Sequence, residues 1–342
     1  MSGDHLKSNQ PVTIYDVAEA AGVSYSTVSR VLNGFEFVKE STRSKVIDAA
    51  ERLGYVANLQ ARGLAGGRSN IIGLLVPVLD NSYISEVMLG IDEALARADF
   101  NLMLFTTHRH AGKEMQYAST IASMTDGLIL IVPLESQLYL NAIRERNYPH
   151  VLVDQPDDTG ATASVDATNW HGAYEATQHL IMLGHRRIGV ITGLLELNSA
   201  QERLNGYRAA LQDNAIPIDN SLIAEGNYLQ LGGYNVASEL LRVHERPTAI
   251  FAMNDLSALG AMDAIREAGL SIPDDISLVG FDDIPQAAIM HPKLTTVRQP
   301  LVQMGRTAVR LLLEQLEHPD SPPGHETLAT QLVIRASSQP PR

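Results

Sequence analysis

The chain has no cysteine among its 342 residues, which removes disulfide staples, thiolate nucleophiles and cysteine-type zinc sites together, and fits a reducing compartment. Long apolar runs are also missing. No stretch approaches the ~18 residues of a membrane span, and no secretory-type apolar run of ~7–15 residues follows Met1-Ser2-Gly3-Asp4-His5-Leu6-Lys7. A cytoplasmic protein with no membrane partner is therefore expected. The sequence has no Gly-x-Ser-x-Gly elbow, no phosphate-binding Gly-rich Lys motif and no His-Glu-x-x-His pair. No catalytic residue, no cofactor and no metal are expected, and the chain is read as not an enzyme. His108 and His110 would share one face of an extended segment, but a solvated loop pair is the preferred reading over two metal ligands.

Aromatic residues are scarce, at 5%. Positive charge is in deficit too, with 26 Lys and Arg against 39 Asp and Glu and a net charge of −13. Such a balance ordinarily argues against nucleic acid as a partner. Its distribution changes that. In residues 1–68, Lys7, Arg30, Lys39, Arg43, Lys45, Arg52, Arg62 and Arg68 nearly balance the acids, so the acidic excess lies in the remainder. With ~150 residues per domain, the length suits two or three domains, and 45% hydrophobic and 19% charged residues are the composition of an ordinary globular protein.

After a polar tail, residues 1–10, expected to be disordered, Ile14, Val17, Ala18 and Ala21 fall on one helical face, with Thr13 placed as N-cap. Gly22 ends that helix. Ser24 can cap a second, whose buried stripe is Val28, Val31 and Leu32 and whose end is marked by Asn33-Gly34. A third helix is expected from near Ser41-Thr42 to Gly54, burying Val46, Ala49, Ala50 and Leu53. Three short helices with a Gly-containing turn between the first two match a helix-turn-helix over 11–57. The second helix turns Tyr25, Ser26, Ser29 and Arg30 outward. Such a face suits major-groove reading, where Arg grips guanine in bidentate fashion. Spacing alone leaves a merely solvated face as the other reading.

The run from Val12 to Gly34, VTIYDVAEAAGVSYSTVSRVLNG, closely resembles the DNA-binding head of the LacI/GalR family of bacterial transcription regulators. The resemblance continues through Thr42-Arg43, Leu53-Gly54-Tyr55, Asn58 and Ala61-Arg62-Gly63-Leu64-Ala65, the last segment resembling the family's hinge helix. It implies that Tyr25, Ser26 and Arg30 read base edges and that Leu64 wedges into the minor groove at the operator centre. The set expected to face double-stranded operator DNA is Thr13, Tyr15, Ser24, Tyr25, Ser26, Ser29, Arg30, Asn33, Asn58, Ala61 and Leu64. A hinge helix at 58–65 that contains Gly63 is too short to be stable alone in water, so it should fold only on DNA against its symmetry mate. Composition alone would equally suit a flexible linker over 58–68.

From Ile71 onward, apolar runs alternate with helical periods. Ile71–Val76, Leu102–Phe105, Gly127–Val132 and His150–Val153 read as strands, followed by Arg187–Ile191, Ala249–Ala252 and Ser277–Gly280, with helices near 83–98, 172–183 and 200–214. Fully apolar strands separated by helices indicate parallel sheets covered on both faces. The expected fold is an N-terminal all-α helix-turn-helix head plus an α/β core of two doubly wound parallel-sheet subdomains, resembling the family's periplasmic-binding-protein-like core. That core is expected over 69–338, its first subdomain about 69–167 plus 300–326 and its second about 168–299 plus 327–338.

Ligands of open parallel sheets bind beyond the carboxyl ends of the strands. The residues there are Asn81 and Tyr83, Asp154, Asn254-Asp255 and Asp282-Asp283. Arg203, in Arg203-Leu204-Asn205-Gly206-Tyr207, matches a family arginine that enters the cleft. The resemblance also points to Tyr228 and Trp170 as walls, although Thr168-Asn169 stands where many relatives have Asp-Asn, with Asp166 two residues earlier. Asp255 and Asp283 each have an alternative as helix caps. Acids, an Asn and an Arg beside aromatic walls suit the vicinal hydroxyls and apolar face of a sugar. The expected effector set is Asn81, Tyr83, Asp154, Trp170, Arg203, Tyr228, Asn254 and Asp282. The expected function is a homodimeric repressor of a palindromic operator, controlled by a small carbohydrate. A purine or nucleoside effector is the alternative, and a sugar-sensing or transport protein without a DNA role is the reading from another class. No heptad of leucines follows the last strand, so a dimer rather than a four-chain assembly is expected.

Overall fold

The computed structural model describes residues 12–32, 37–55, 68–108, 110, 114–133, 136–155 and 159–342. It divides into two compact units, Met1–Ser69 and Asn70–Arg342. Asn33, Asn58, Ala61 and Leu64, and with them the hinge, lie outside the described residues.

In the first unit, helix α1 (Ile14–Ala21) opens on a capping box: Thr13 accepts from the Asp16 amide, and Asp16 accepts from the Thr13 backbone amide and hydroxyl, both at 2.7 Å. Gly22 ends it at φ 66°, where a side chain would be strained. Helix α2 (Tyr25–Leu32) follows Ser24, whose hydroxyl accepts from the Thr27 amide at 3.2 Å. Helix α3 (Glu40–Leu53) begins slightly ahead of the expected Ser41-Thr42, with Lys39 at the cap position. The three share one core of Val17, Ala18, Val28, Val31, Val46, Ala49 and Ala50.

The second unit is built on two six-stranded sheets. The first has the order β11-β5-β4-β3-β1-β2 and is parallel throughout, from strands β1 (Ile71–Val76), β2 (Asn101–Thr106), β3 (Gly127–Ile131), β4 (His150–Val153), β5 (Ala163–Ala167) and β11 (His325–Leu328). The second has the order β12-β10-β9-β8-β6-β7: β6 (Ile188–Thr192), β7 (Ile223–Glu225), β8 (Ala249–Ala252), β9 (Ser277–Asp282) and β10 (Thr295–Arg298) run parallel, and β12 (Gln331–Val333) lies antiparallel on β10. Runs such as IIGLLV and GLILI are buried along their whole length because helices cover both faces.

The helices that position the cleft are α4 (Ser82–Arg97), α7 (Asn169–Met182), α8 (Asn198–Asp213), α10 (Asp255–Glu267) and α12 (Leu301–Glu317); between them run α5 (Glu114–Ala122), α6 (Ser136–Glu145), α9 (Gln230–Leu240) and α11 (Pro285–Ile289). The chain crosses between the two lobes from β5 to α7, from β10 to α12 and from β11 to β12. The last crossing follows Leu328, where the pairing of β11 with β5 ends. Among the described residues no helix is long and apolar enough to cross a membrane, and none form a cluster of three or more metal-ligating side chains.

Candidate functional site

On the head, α2 leaves Tyr25, Ser26 and Arg30 exposed and Ser29 half-buried, because the opposite face carries Val28 and Val31 into the core. Tyr15, 66% exposed, stacks on Tyr25, 50% exposed, with ring centroids 5.5 Å apart. Two large rings held open to solvent beside hydroxyls and a guanidinium form a surface that the core does not require. Ser24 adds hydroxyl contacts to Ser26 at 2.9 Å and Thr27 at 2.8 Å, and the exposed Thr13 belongs to its capping box. The Ser24 hydrogen bonds fix the start of α2, from which Tyr25, Ser26 and Arg30 project.

In the second unit, the carboxyl ends of both sheets bound one cleft. Its lining includes Asn81, Tyr83, Asp154, Arg203, Tyr228, Asn254 and Asp282, together with Pro77, Ile84, Val132, Leu194 and Leu197. Seven of the eight expected effector residues thus meet in one place. Trp170 does not. On α7 the buried face is Asn169, Gly172 and Ala173, and the next position after Asn169 is rotated by a helical step, leaving Trp170 43% exposed and stacked on Tyr174. Trp170 thus lies outside the lining of the cleft as it stands here.

Arg203 is the centre of the cleft. It is 2% exposed; its Nε donates to Asn169 Oδ1 at 2.8 Å and its Nη1 to the Met253 carbonyl at 2.6 Å. Nη1 lies 3.7 Å from Asp282 Oδ1, and the guanidinium sits 3.9 Å over the Phe281 ring. A buried cation is tolerated only when charge and hydrogen bonds offset its desolvation, and here both do. Asn169 in turn donates to Asp166 Oδ1 and to the Ala167 carbonyl. Asn169, Met253, Phe281 and Gln299, which donates to Asp282 at 2.7 Å, are the supports that sequence reasoning missed. The only available signal was the position of Asn169 next to the departure at Thr168.

The acids of the cleft are strongly perturbed. Burial raises Asp154 from 3.8 to about 7 against the pull of Arg203, and Asp282 to about 6 for the same reason. Asp154 Oδ1 is buried with no hydrogen-bond partner, and so are the hydroxyls of Tyr83 and Tyr228. Gly193 allows the Tyr228 ring to approach: a Cβ there would lie 1.9 Å from it.

Two capping assignments change. Asn254, not Asp255, caps α10, its Oδ1 accepting from Ser257 N at 2.9 Å while Nδ2 donates to the Tyr228 carbonyl. Asp255 is instead fully buried, accepting from Thr296 Oγ1 at 2.6 Å and Ile284 N at 2.9 Å. Asp283 caps no helix, since it is ion-paired with Arg298 and Arg335. Asn81 caps α4 while lining the cleft.

The head and the cleft occur together in one known family. Residues 13–58 match the model of bacterial regulatory proteins of the lacI family, and residues 177–338 match the periplasmic binding protein-like domain. The chain is 35% identical over 308 residues to catabolite control protein A of Priestia megaterium, covering 89% of this chain and 92% of that protein. It belongs to the LacI family. Among solved structures of the family, the lac repressor dimer bound to operator and the anti-inducer ONPF superposes with a TM-score of 0.84 at 33% identity, covering 96% of this chain and all of that one. The transcriptional regulator CelR in complex with cellobiose gives 0.75 at 32% identity, covering 95% and 99%. As a LacI-family member the chain is a ligand-controlled, DNA-binding transcription repressor.

Proposed function

We propose that this LacI-family repressor binds a palindromic operator as a homodimer and takes a sugar as its effector, without acting as an enzyme. It reads base edges with Tyr25, Ser26 and Arg30 and wedges Leu64 into the minor groove, and Thr13, Tyr15, Ser24, Ser29, Asn33, Asn58 and Ala61 complete the set that faces DNA. Asn81, Tyr83, Asp154, Arg203, Tyr228, Asn254 and Asp282 hold the sugar. The observation that carries this reading is the convergence of Asp154, Arg203 and Asp282 with two tyrosine rings at the ends of both sheets. Carboxylates and a guanidinium accept and donate to vicinal hydroxyls, and rings pack on the apolar sugar face. The cleft holds about 60 Å³, well below the ~300–1,000 Å³ typical of small-molecule sites, so a sugar enters by parting the lobes. Its differential affinity for the two arrangements shifts the balance that the hinges transmit to DNA.

The test starts with a thermal-shift screen over sugars, purines and nucleosides; a ligand at 100 times its Kd adds ~2.7 kcal/mol. Operator affinity is then titrated at fixed salt, with and without the sugar found. Arg30→Ala should lose at least the ~1–3 kcal/mol of a bidentate guanine contact, two chains should sediment per operator duplex, and the sugar should change the affinity of the wild type. A response to purines or nucleosides alone would replace the sugar reading.

A further inference from the structure

The balance of charge around the cleft says more about the ligand than its class. Among the described residues that line it, Arg203 is the one cation, and its charge is already matched by Asp282 at 3.7 Å. Asp154 faces the same space with Oδ1 buried and unpartnered. Behind the lining, Asp166 is buried and held by Asn169, the residue that also holds Arg203. Three carboxyl groups therefore surround one guanidinium. The other unsatisfied atoms in the lining, the Tyr83 and Tyr228 hydroxyls, are neutral. A ligand that brings hydroxyl or ammonium donors completes Asp154; one that brings a carboxylate or phosphate meets an excess of like charge in a poorly solvated space, where such juxtaposition is costly.

Resting on the sugar reading above, we infer that the cleft is a charge filter that accepts neutral or amino sugars and rejects uronates and sugar phosphates. Two residues set the sign. Asp154 meets the ligand directly, and Asp166 acts from behind as a positioning and field-setting residue. The filter is independent of which sugar fits best, because it compares a sugar with its own charged derivatives.

Matched pairs therefore test it: glucose, glucosamine, glucuronate and glucose 6-phosphate, and in parallel galactose with galacturonate and ribose with ribose 5-phosphate, each titrated calorimetrically into the full chain at pH 8, where Asp154 and Asp282 are ionised, and at fixed ionic strength. In any series that binds, the neutral or amino form should exceed the acid by about tenfold or more, equivalent to about 1.4 kcal/mol. Asp166→Asn, which keeps the shape and the acceptor toward Asn169, should narrow that ratio while changing the affinity for the neutral sugar far less. An acid or phosphate that binds as tightly as its parent overturns the filter and leaves the sugar reading standing. Guanine or adenosine binding in place of every sugar overturns the sugar reading instead. If the ratio in Asp166→Asn equals that of the wild type, Asp166 has no part in the filter.

Discussion

Asp154 shows how a single side chain can serve the site at the expense of the fold. It stands at the end of β4 with φ 63° and is 5% exposed, beside Arg203, Tyr83, Asp166 and Asp282, and burial lifts it from 3.8 to about 7. The folded state then holds a proton that the unfolded chain has released, so stability falls as pH rises from about 4 through about 7. Above that window the burden is complete. Asp154→Asn keeps a residue type that tolerates positive φ and removes the ionisation, so at pH 8 it should stabilise the protein by about 2 kcal/mol or more, or roughly 4–8 °C. The gain should shrink toward pH 4, and sugar affinity should fall because a charged acceptor is lost. Thermal unfolding from pH 4 to 8 checks it. An equal gain at every pH would show that Asp154 does not titrate in that range.

At the scale of elements, the return of α12 to the first lobe depends on a reciprocal contact with α4. A Cβ at Gly90 would fall 1.9 Å from the Val302 carbonyl oxygen, and one at Gly305 would fall 2.1 Å from that of Val87. Backbone has no rotamer with which to escape. Gly90→Ala should therefore destabilise the second unit by about 1–3 kcal/mol through overpacking, despite the better helix propensity of alanine; denaturant unfolding measures this, and a stabilised variant would refute the contact. Elements of this kind were legible in the sequence where burial is two-sided and continuous, as in Ile71–Val76, or where a stop residue such as Gly22 or Gly54 needs positive φ. Strand β5, ASVDA, was not, because its short, mixed composition shows no apolar run although all of it is buried. The cleft followed the same rule. Arg203 and Asp282 could be placed from motif and strand end, whereas the bond from Arg203 to Asn169 joins residues 34 apart through side-chain geometry, and Trp170 stands outside the lining because one step of helical phase decides which side it faces. Asn254 takes the cap from Asp255 for a comparable reason: its backbone is still extended, at φ −156°.

Across the whole second unit, the lobes are joined by more than their three crossings. Gln286 Nε2 donates to Ser82 Oγ at 2.7 Å and the Asn198 amide to Gln155 Oε1 at 3.0 Å, both from one lobe to the other. At the crossings themselves, Thr330 N donates to Thr168 Oγ1 at 2.9 Å, tying the first to the third. A net ~0.5–1.5 kcal/mol for a neutral hydrogen bond makes Gln286→Ala an expected two- to tenfold (about 0.5–1.5 kcal/mol) accelerator of sugar association, read in stopped flow. An unchanged rate would mean that this bond does not limit entry. The means of observing such an opening is built into the chain. Trp170, the only tryptophan, lies on the first turn of α7, directly after the first crossing and in stacking contact with Tyr174 at 5.2 Å. All tryptophan emission thus comes from one indole, half in water, with a neighbouring phenol near enough to donate excitation energy to it. Any rotation of α7 relative to its surroundings will register as a change in the colour and lifetime of that emission, so the motion can be timed in the unlabelled protein.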